Sequence, residues 1–578
     1  MISRRILLAK LPKSASYLSA RCSPATVPRD ARVRRISSTS TRQPQQSHQV
    51  PDGRSKGAPS PSVLLGAAVI ALAGFTAGML YSNQSPPKQT PEPSINATKP
   101  IYATPAEMLT TARQIESLLG PDCISYEPSD LDHHGHSDWS TSNSPIRGIA
   151  IVYPRSTSDV SLICALCSTN RVPVIPYGAG SSVEGNFSQP HSGIILDFTR
   201  YMDNIISLNG EDMDVIVQPG VNWVDLNNYI KSQGWNLFAP LDPSPTATIG
   251  GMVSTNCSGT NAFRYGTMKD WVVNLTVVLA DGRVIKTRKG RPRKTSAGYN
   301  LSQLFVGAEG TLGVVTEVTL KLAPVEEDSS VMAVSFGSVE DAAKAAQKLI
   351  RSGIRLGALE LMDDVQMGIL NRHGSERVRR MGRWSEEGAT LFVKFSGTTE
   401  GIKSDLGRVK ELLGSEGDKR SFFFAKNKQD EADIWAARKE ALFTMVSIKP
   451  EGHEMWSTDV AVPISRLAEI IEYSKKECSK LGIFASVIGH VGDGNFHVAM
   501  MYDPKEPGQK EAVGKVVKDM MRKAIDMEGT VSGEHAIGLG KKKYLVEELG
   551  EETIGLMKDI KRTLDPKWIM NPGKVFDP

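Results

Sequence analysis

The stretch "LDPSPTATIGGMVSTNCSGTNAFRYGTMKDWVVNLTVVLADGRVI", residues 241–285, decides how this chain is read. Its first part is dense in Gly, Ser, Thr and Asn and reads as one long loop. A strand follows, closed by an Asp281-Gly282 hairpin turn. So much small, polar side-chain chemistry inside a folded domain implies a chain wrapped around an extended polar ligand, because residues without bulk let backbone N–H groups approach it.

Upstream lie apolar strands broken by glycine: "GIAIVYP", "VPVIPYGAGSS", "GIILDFT" and "DVIVQPGVNW". Between the first two, "STSDVSLICALCSTNR" has helical periodicity, which makes a strand–helix–strand unit. The turn "PYGAGSSVEGN" (176–186) follows its second strand, and consecutive N–H groups there can cradle a phosphate. It is neither G-x-G-x-x-G nor a Walker loop. Downstream, "LFVGAEGTLGVVTEVTLKL" adds a glycine turn from Gly310 to Gly313 that leads into another strand.

Together, PYGAGSS, TIGGMVSTNCSG, RYG and GAEGTLGVVTEVTLKL resemble the FAD-binding domain of the vanillyl-alcohol-oxidase-type, or PCMH-type, flavoproteins. That resemblance implies an α+β fold: a two-subdomain PCMH-type FAD-binding domain, then an α+β cap domain with antiparallel sheet. It also implies roles by position. Pro176, Tyr177, Gly178, Ala179, Gly180, Ser181 and Ser182 would hold the FAD pyrophosphate. Pro243, Thr248, Gly250, Gly251, Asn256 and Gly259 would line the flavin and ribityl chain. Gly310, Val314 and Val315 would meet the adenine end. Some members tether FAD through a histidine in the first loop; here Ala179, Ser181 and Ser182 stand there, so the flavin is expected to be non-covalent.

In the second half, "IGHVGDGNFHVAM" (488–500) sets His490 and His497 either side of a Gly-Asp-Gly turn. A continuous strand would put residues seven apart on opposite faces, but a hairpin can bring both imidazoles together. Two imidazoles suit a divalent transition metal, and a site needs more ligands. Glu534, in "GTVSGEHAIGLGKK" (529–542), is the candidate. Two hairpin histidines with ordinary hydrogen bonds and a capping glutamate fit the same residues. "HHGHSDWS" (133–140) has polar neighbours and no further ligand spacing, and reads as a loop.

G-H-V-G-D-G-N-F-H and S-G-E-H-A-I-G resemble the signatures of the FAD-dependent D-2-hydroxyacid dehydrogenase family. The family implies a divalent metal, Zn or Mn, on His490, His497 and Glu534, with His535 as general base. Arg438, on the helix "DEADIWAARKEALF", would clamp the substrate carboxylate, Asn495 would touch substrate, and Asn571 in "MNPGKVFDP" would lie near the isoalloxazine. The 2-hydroxyglutarate enzymes carry a Lys two residues before the Asp of the strand matching "STDVAVP"; Ser457 stands there. That favours a small side chain, hence D-lactate oxidised to pyruvate, with hydride to FAD N5 and electrons passed to cytochrome c. D-2-hydroxyglutarate or glycolate dehydrogenase, or a non-redox synthase related to alkylglycerone-phosphate synthase, are the alternatives.

Composition sets the rest. The chain has 578 residues, too many for one ordinary domain, and its charged fraction of 23% is that of a globular protein. A net charge of +4 hides a split. Residues 1–60 hold 12 Lys and Arg against two acids, leaving 56 basic and 62 acidic residues elsewhere. That acidic balance argues against nucleic acid as partner. Six cysteines are too few and scattered for a disulfide framework, and Cys164 and Cys167 read as one face of a helix.

The first residues, Arg-, Ser- and Leu-rich without acids, have the pattern of a mitochondrial presequence. Residues 63–81, "VLLGAAVIALAGFTAGMLY", carry no charge and approach the ~20 residues that cross a bilayer. The basic residues crowd their N-terminal side, which points the large domain to the intermembrane space and anchors it at the inner mitochondrial membrane. The expected organisation is therefore 1–60 presequence and basic segment, 61–82 transmembrane helix, 83–103 Pro-rich linker, 104–324 FAD-binding domain and 325–578 cap with the metal site.

Overall fold

A computed structural model describes residues 99–382, 384–414 and 422–578. The presequence, the 63–81 segment and the linker as far as residue 98 lie outside the described residues. Among the described residues no helix is long and apolar enough to cross a membrane.

The folded part opens with the helix Pro105–Leu119, held by a Thr104–Glu107 capping box and ended at Gly120. It packs on the helix Thr157–Asn170, whose Cys164 and Cys167 point into the core as expected from their spacing. These helices cover a four-stranded sheet in the order Ile124–Ser125, Ala150–Val152, Ile194–Asp197, Val174–Tyr177. Its last three strands are parallel and read as unbroken apolar runs because the sheet is buried.

A second, antiparallel sheet follows, ordered Ile205–Asn209, Asp214–Val217, Val314–Lys321, Val272–Val278, Val284–Lys286. The polar stretch after Leu241 is not loop throughout. Residues Ile249–Thr255 form a helix that begins at Thr248, whose hydroxyl accepts from Gly251 N, and ends at Asn256 in the left-handed region, φ 49°. Ile249, Met252 and Val253 supply its buried stripe, a spacing of three and four that the surrounding Ser, Thr and Gly conceal.

The cap is built on a large antiparallel sheet ordered Phe422–Phe424, Asp328–Phe336, Ala389–Gly397, Leu356–Asp363, Phe484–His490, Asn495–Tyr502, Glu454–Ser457. Alternation divides its faces. Met332, Val334, Leu391 and Val498 pack under the helices Val339–Arg351, Leu467–Lys480 and Gln509–Asp526. Val331, Ala333, Ala358 and Met362 meet the helix Lys428–Ser447 on the other side.

The C-terminal tail departs from its expected place in the cap. Ile569 and Met570 join the core of the first sheet, and Met570 bridges Val174 in parallel. Lys561 is buried where Thr311 O, Met570 O and Asp565 surround its ammonium. Sequence order suggested a cap residue because the expected boundary at 324–325 assigned everything after it to the cap, yet Ile560 and Leu564 also pack on the core of the second sheet.

Candidate active site at the cap hairpin

The hairpin register answers why two histidines flank one turn. His490 stands opposite Asn495, and Ile488 opposite His497. The two histidines are thus diagonal neighbours on one face, with ring centroids 5.5 Å apart at 88°. This face meets the helix Lys428–Ser447, whereas Val487, Val491, Phe496 and Val498 point into the opposite core.

Each imidazole has one nitrogen committed. His497 Nδ1 lies 2.9 Å from Thr458 O, which can only accept, so Nδ1 carries the hydrogen there. His490 Nδ1 lies 2.9 Å from Glu360 Oε1. Both Nε2 atoms are left facing one oxygen, Glu534 Oε1, at 3.2 Å from His490 and 3.1 Å from His497. An acceptor behind each ring and ligating atoms converging in front is how proteins prepare imidazoles for a metal. His490, His497 and Glu534 offer ligand atoms all within 4.8 Å of one another, so the residues present fit a divalent ion.

Charge is balanced tightly. Burial would lower the His490 pKa, but Glu360 and Glu534 outweigh it and hold it well above the ordinary value. Burial would raise Glu534, yet His490 and His497 hold it well below the usual carboxylate range.

The loop carrying Glu534 is pinned by a carboxylate that sequence reading passed over. Asp459 is fully buried and accepts from Glu534 N, His535 N, Ser532 Oγ and Asn495 Nδ2, and pairs with Lys541 at 2.8 Å. Burial raises its pKa, and Lys541, His535 and His497 more than reverse that. His535 stacks on His497, centroids 4.9 Å apart, and its buried Nδ1 has no hydrogen-bond partner. Burial, with His497 and Lys541 adding and Asp459 opposing, pushes its pKa down to about 4, so the ring is neutral near pH 7.

Several of the expected site residues carry contacts within the protein. Asn495, read as a substrate contact, is buried, and its Nδ2 donates to Asp459 Oδ1 and Val460 O; it braces the hairpin instead. Arg438, expected to clamp the substrate carboxylate, is buried; its Nε donates to Glu360 Oε2 at 2.8 Å and its Nη2 lies 2.7 Å from the same oxygen. Asn571 spends its amide on Asn186 O and Glu309 O, and Asn256 accepts from Lys269 N and Thr267 Oγ1. These two asparagines hold loops together rather than offering those groups to a flavin.

The glycine loops of the FAD-binding part do converge. A methyl on Gly178 would collide with the Thr248 hydroxyl, and one on Gly310 would lie 2.9 Å from the Pro176 ring. None of the backbone N–H groups of Ala179 to Val183 finds an acceptor among the described residues, and Gly180 has φ 63°. A run of unspent donors after a strand fits a pyrophosphate. Val314 and Val315 begin the strand after the Gly310 turn, with their side chains in the core. Pro243 is half-buried, and Gly250 packs on Pro219. Gly259, at φ 134°, lies against Asp242.

Several contacts join the FAD-binding part and the cap, and two of them involve carboxylates at this site. Ser258 Oγ, in the Cys-Ser-Gly step of the polar stretch, donates to Glu534 Oε2. Glu309 accepts from Ile537 N and Gly538 N at 2.8 and 2.9 Å, and from Asn186 Nδ2. Of the residues passed over, Glu360 had a signal: it is an acid inside an apolar strand segment, and a buried acid needs partners. By contrast the His134 imidazole of the "HHGHSDWS" run turns to Asp197 at 2.9 Å and packs on Tyr177.

Comparison with known proteins agrees with this architecture. The FAD binding domain family matches residues 149–288, and the FAD linked oxidases, C-terminal domain, match 325–575. The mitochondrial D-lactate dehydrogenase (cytochrome) of Kluyveromyces lactis is 40% identical over 527 residues, 89% of this chain and 89% of that protein. That of Arabidopsis thaliana is 43% identical over 428 residues, 74% and 73% of the two chains. A solved 4-ethylphenol oxidase from Gulosibacter chungangensis shares the fold, with TM-score 0.70 over 83% of this chain and 99% of its own at 16% identity. The chain belongs to the FAD-dependent family of mitochondrial D-lactate dehydrogenases (cytochrome).

Proposed function

We propose that the protein oxidises D-lactate to pyruvate, with non-covalent FAD as first electron acceptor and cytochrome c as the next, and that His490, His497 and Glu534 hold a divalent metal, Zn or Mn. The observation that carries the reading is the pair of imidazoles, each braced at Nδ1 and converging through Nε2 on Glu534. Beside them Ser258, from the FAD-binding part, touches the same carboxylate.

When bound, the flavin accepts a hydride at N5 and the metal acts as a Lewis acid toward the substrate hydroxyl. The chain's own residues do the rest. Gly178 to Ser182 hold the pyrophosphate through unspent N–H groups, with Thr248, Gly250 and Gly251 along the flavin. His535, neutral and with Nδ1 free of any partner, takes the hydroxyl proton as general base. Arg438 supplies positive charge for the lactate carboxylate. Ser457, where a lysine would serve a second carboxylate, leaves room for a methyl group.

The Arg-, Ser- and Leu-rich N-terminus supports import into mitochondria, and the uncharged residues 63–81 support anchoring at the inner membrane. The acidic balance outside residues 1–60 suits steering of a basic cytochrome c in the intermembrane space. Equal cytochrome c reduction rates at low and high salt would count against that steering.

Anaerobic flavin bleaching tests the assignment. D-lactate is expected to bleach the bound flavin, and L-lactate, D-2-hydroxyglutarate and glycolate to do so slowly or not at all. Chelation should abolish the response and a divalent metal restore it. Bleaching mainly by D-2-hydroxyglutarate or glycolate would reassign the substrate. No bleaching by any of the four, with flavin bound, would remove the dehydrogenase reading.

A further inference from the structure

Glu360 lies 1% exposed on the strand Leu356–Asp363, on the same face as Ala358 and Met362. Pairing of Leu361 with Gly489 and Met362 with Ile488, continued by one residue, sets it across from His490. Its carboxylate is divided between two functional groups. Oε1 meets His490 Nδ1 at 2.9 Å, and Oε2 accepts from Arg438 Nε and lies 2.7 Å from its Nη2. Arg438 Nη1 has no protein acceptor among the described residues.

We propose that Glu360 is a positioning residue for the reaction, setting with one carboxylate both the tautomer of His490 and the plane of the Arg438 guanidinium. The inference rests on the D-lactate reading above. It bears on how substrate is held: Glu360 takes the Nε side of the guanidinium and leaves the two Nη1 hydrogens and the second Nη2 hydrogen for the lactate carboxylate. Glu360 therefore holds the Arg438 guanidinium and the His490 ring at a fixed separation.

The chemistry of glutamine makes the idea testable. E360Q has nearly the same shape but one acceptor oxygen and an NH2 group that only donates. That oxygen can serve Arg438 or His490 Nδ1, not both as the carboxylate does. If the NH2 faces His490, the ring must shift its hydrogen to Nε2, which withdraws the lone pair from the metal. If it faces Arg438, donor opposes donor and the guanidinium turns.

The experiment uses the full chain with FAD bound. Mn2+ affinity is measured by EPR of the free ion without substrate, and KM and kcat for D-lactate at saturating Mn2+. E360Q should keep its flavin spectrum, bind Mn2+ about tenfold or more weakly, and raise KM even at saturating metal. R438K should raise KM while leaving Mn2+ affinity within about twofold, because Glu360 still holds His490. Wild-type Mn2+ affinity in E360Q, or an unchanged KM, overturns the proposal. If E360Q fails to retain flavin, E360D replaces it: one methylene shorter, it cannot reach both ends, and the same readings apply. Wild-type protein that takes up neither Mn2+ nor Zn2+ defeats the metal reading itself and takes this proposal with it.

Discussion

Ser258 and Glu534 are 276 residues apart in sequence and joined by a hydrogen bond, Oγ to Oε2. Glu534 thereby has one oxygen on the two histidines and the other on the FAD-binding part. Ser258→Ala removes a donor to a charged group, an interaction worth about 1.5–3 kcal/mol. The expected result is a kcat lower by roughly tenfold or more, with flavin content unchanged. Wild-type kcat in that variant would show that the contact is incidental.

His490→Ala and His497→Ala each leave Glu534 with one imidazole. Both variants should stay yellow, since neither residue touches the glycine loops, and should lose at least about a hundredfold in bleaching rate by D-lactate. Bound metal, assayed after dialysis, should fall below that of wild type. Metal content equal to wild type in both would place the ion elsewhere.

Gly178→Ala drives a methyl into the Thr248 hydroxyl. Overpacking of this kind costs about 1–3 kcal/mol, and here it bears on the loop whose N–H groups are unspent. The ratio of flavin absorbance to protein absorbance should drop, with the far-UV circular dichroism kept. A variant as yellow as wild type would argue against this loop as the cradle.

Lys574 is buried, donating to Ser188 O and Asn571 Oδ1. Burial, with Lys542 adding and Glu309 opposing, pushes its pKa from 10.5 down to about 7. Between those two values the unfolded chain holds a proton that the native state has released, so this group makes stability rise with pH across the window. Comparing Tm at pH 6.5 and 9 in wild type and Lys574→Met isolates it. The change toward higher pH should be more favourable in wild type; an identical change in both would show that Lys574 titrates normally.

What could be read from the sequence was local. The strand–helix–strand unit and the hairpin around Gly492 to Gly494 each depend on residues a few positions apart, and the structure has both. The helix Ile249–Thr255 was missed because small polar residues mask its three apolar anchors. Long-range partners had no local signature. Arg438 is recognisable on a helix, but its bond to Glu360 spans 78 residues, and nothing nearby announces that one side of its fork is already spent. Asn495 was expected to touch substrate, yet the strand pairing that buries it involves Val460 and Ala461, a segment too short to show a period.

The parallel bridge between Val174 and Met570 carries a consequence for biogenesis. The sheet that leads into the Gly178 to Ser182 loop is finished by residues nearly four hundred positions further along the chain. While the chain is being made, its first domain lacks Ile569 and Met570 and stays open at that edge. Until those residues arrive, the strand Val174–Tyr177 lacks a neighbour on that side, so closing this sheet joins segments far apart in the chain and belongs to a late step of folding.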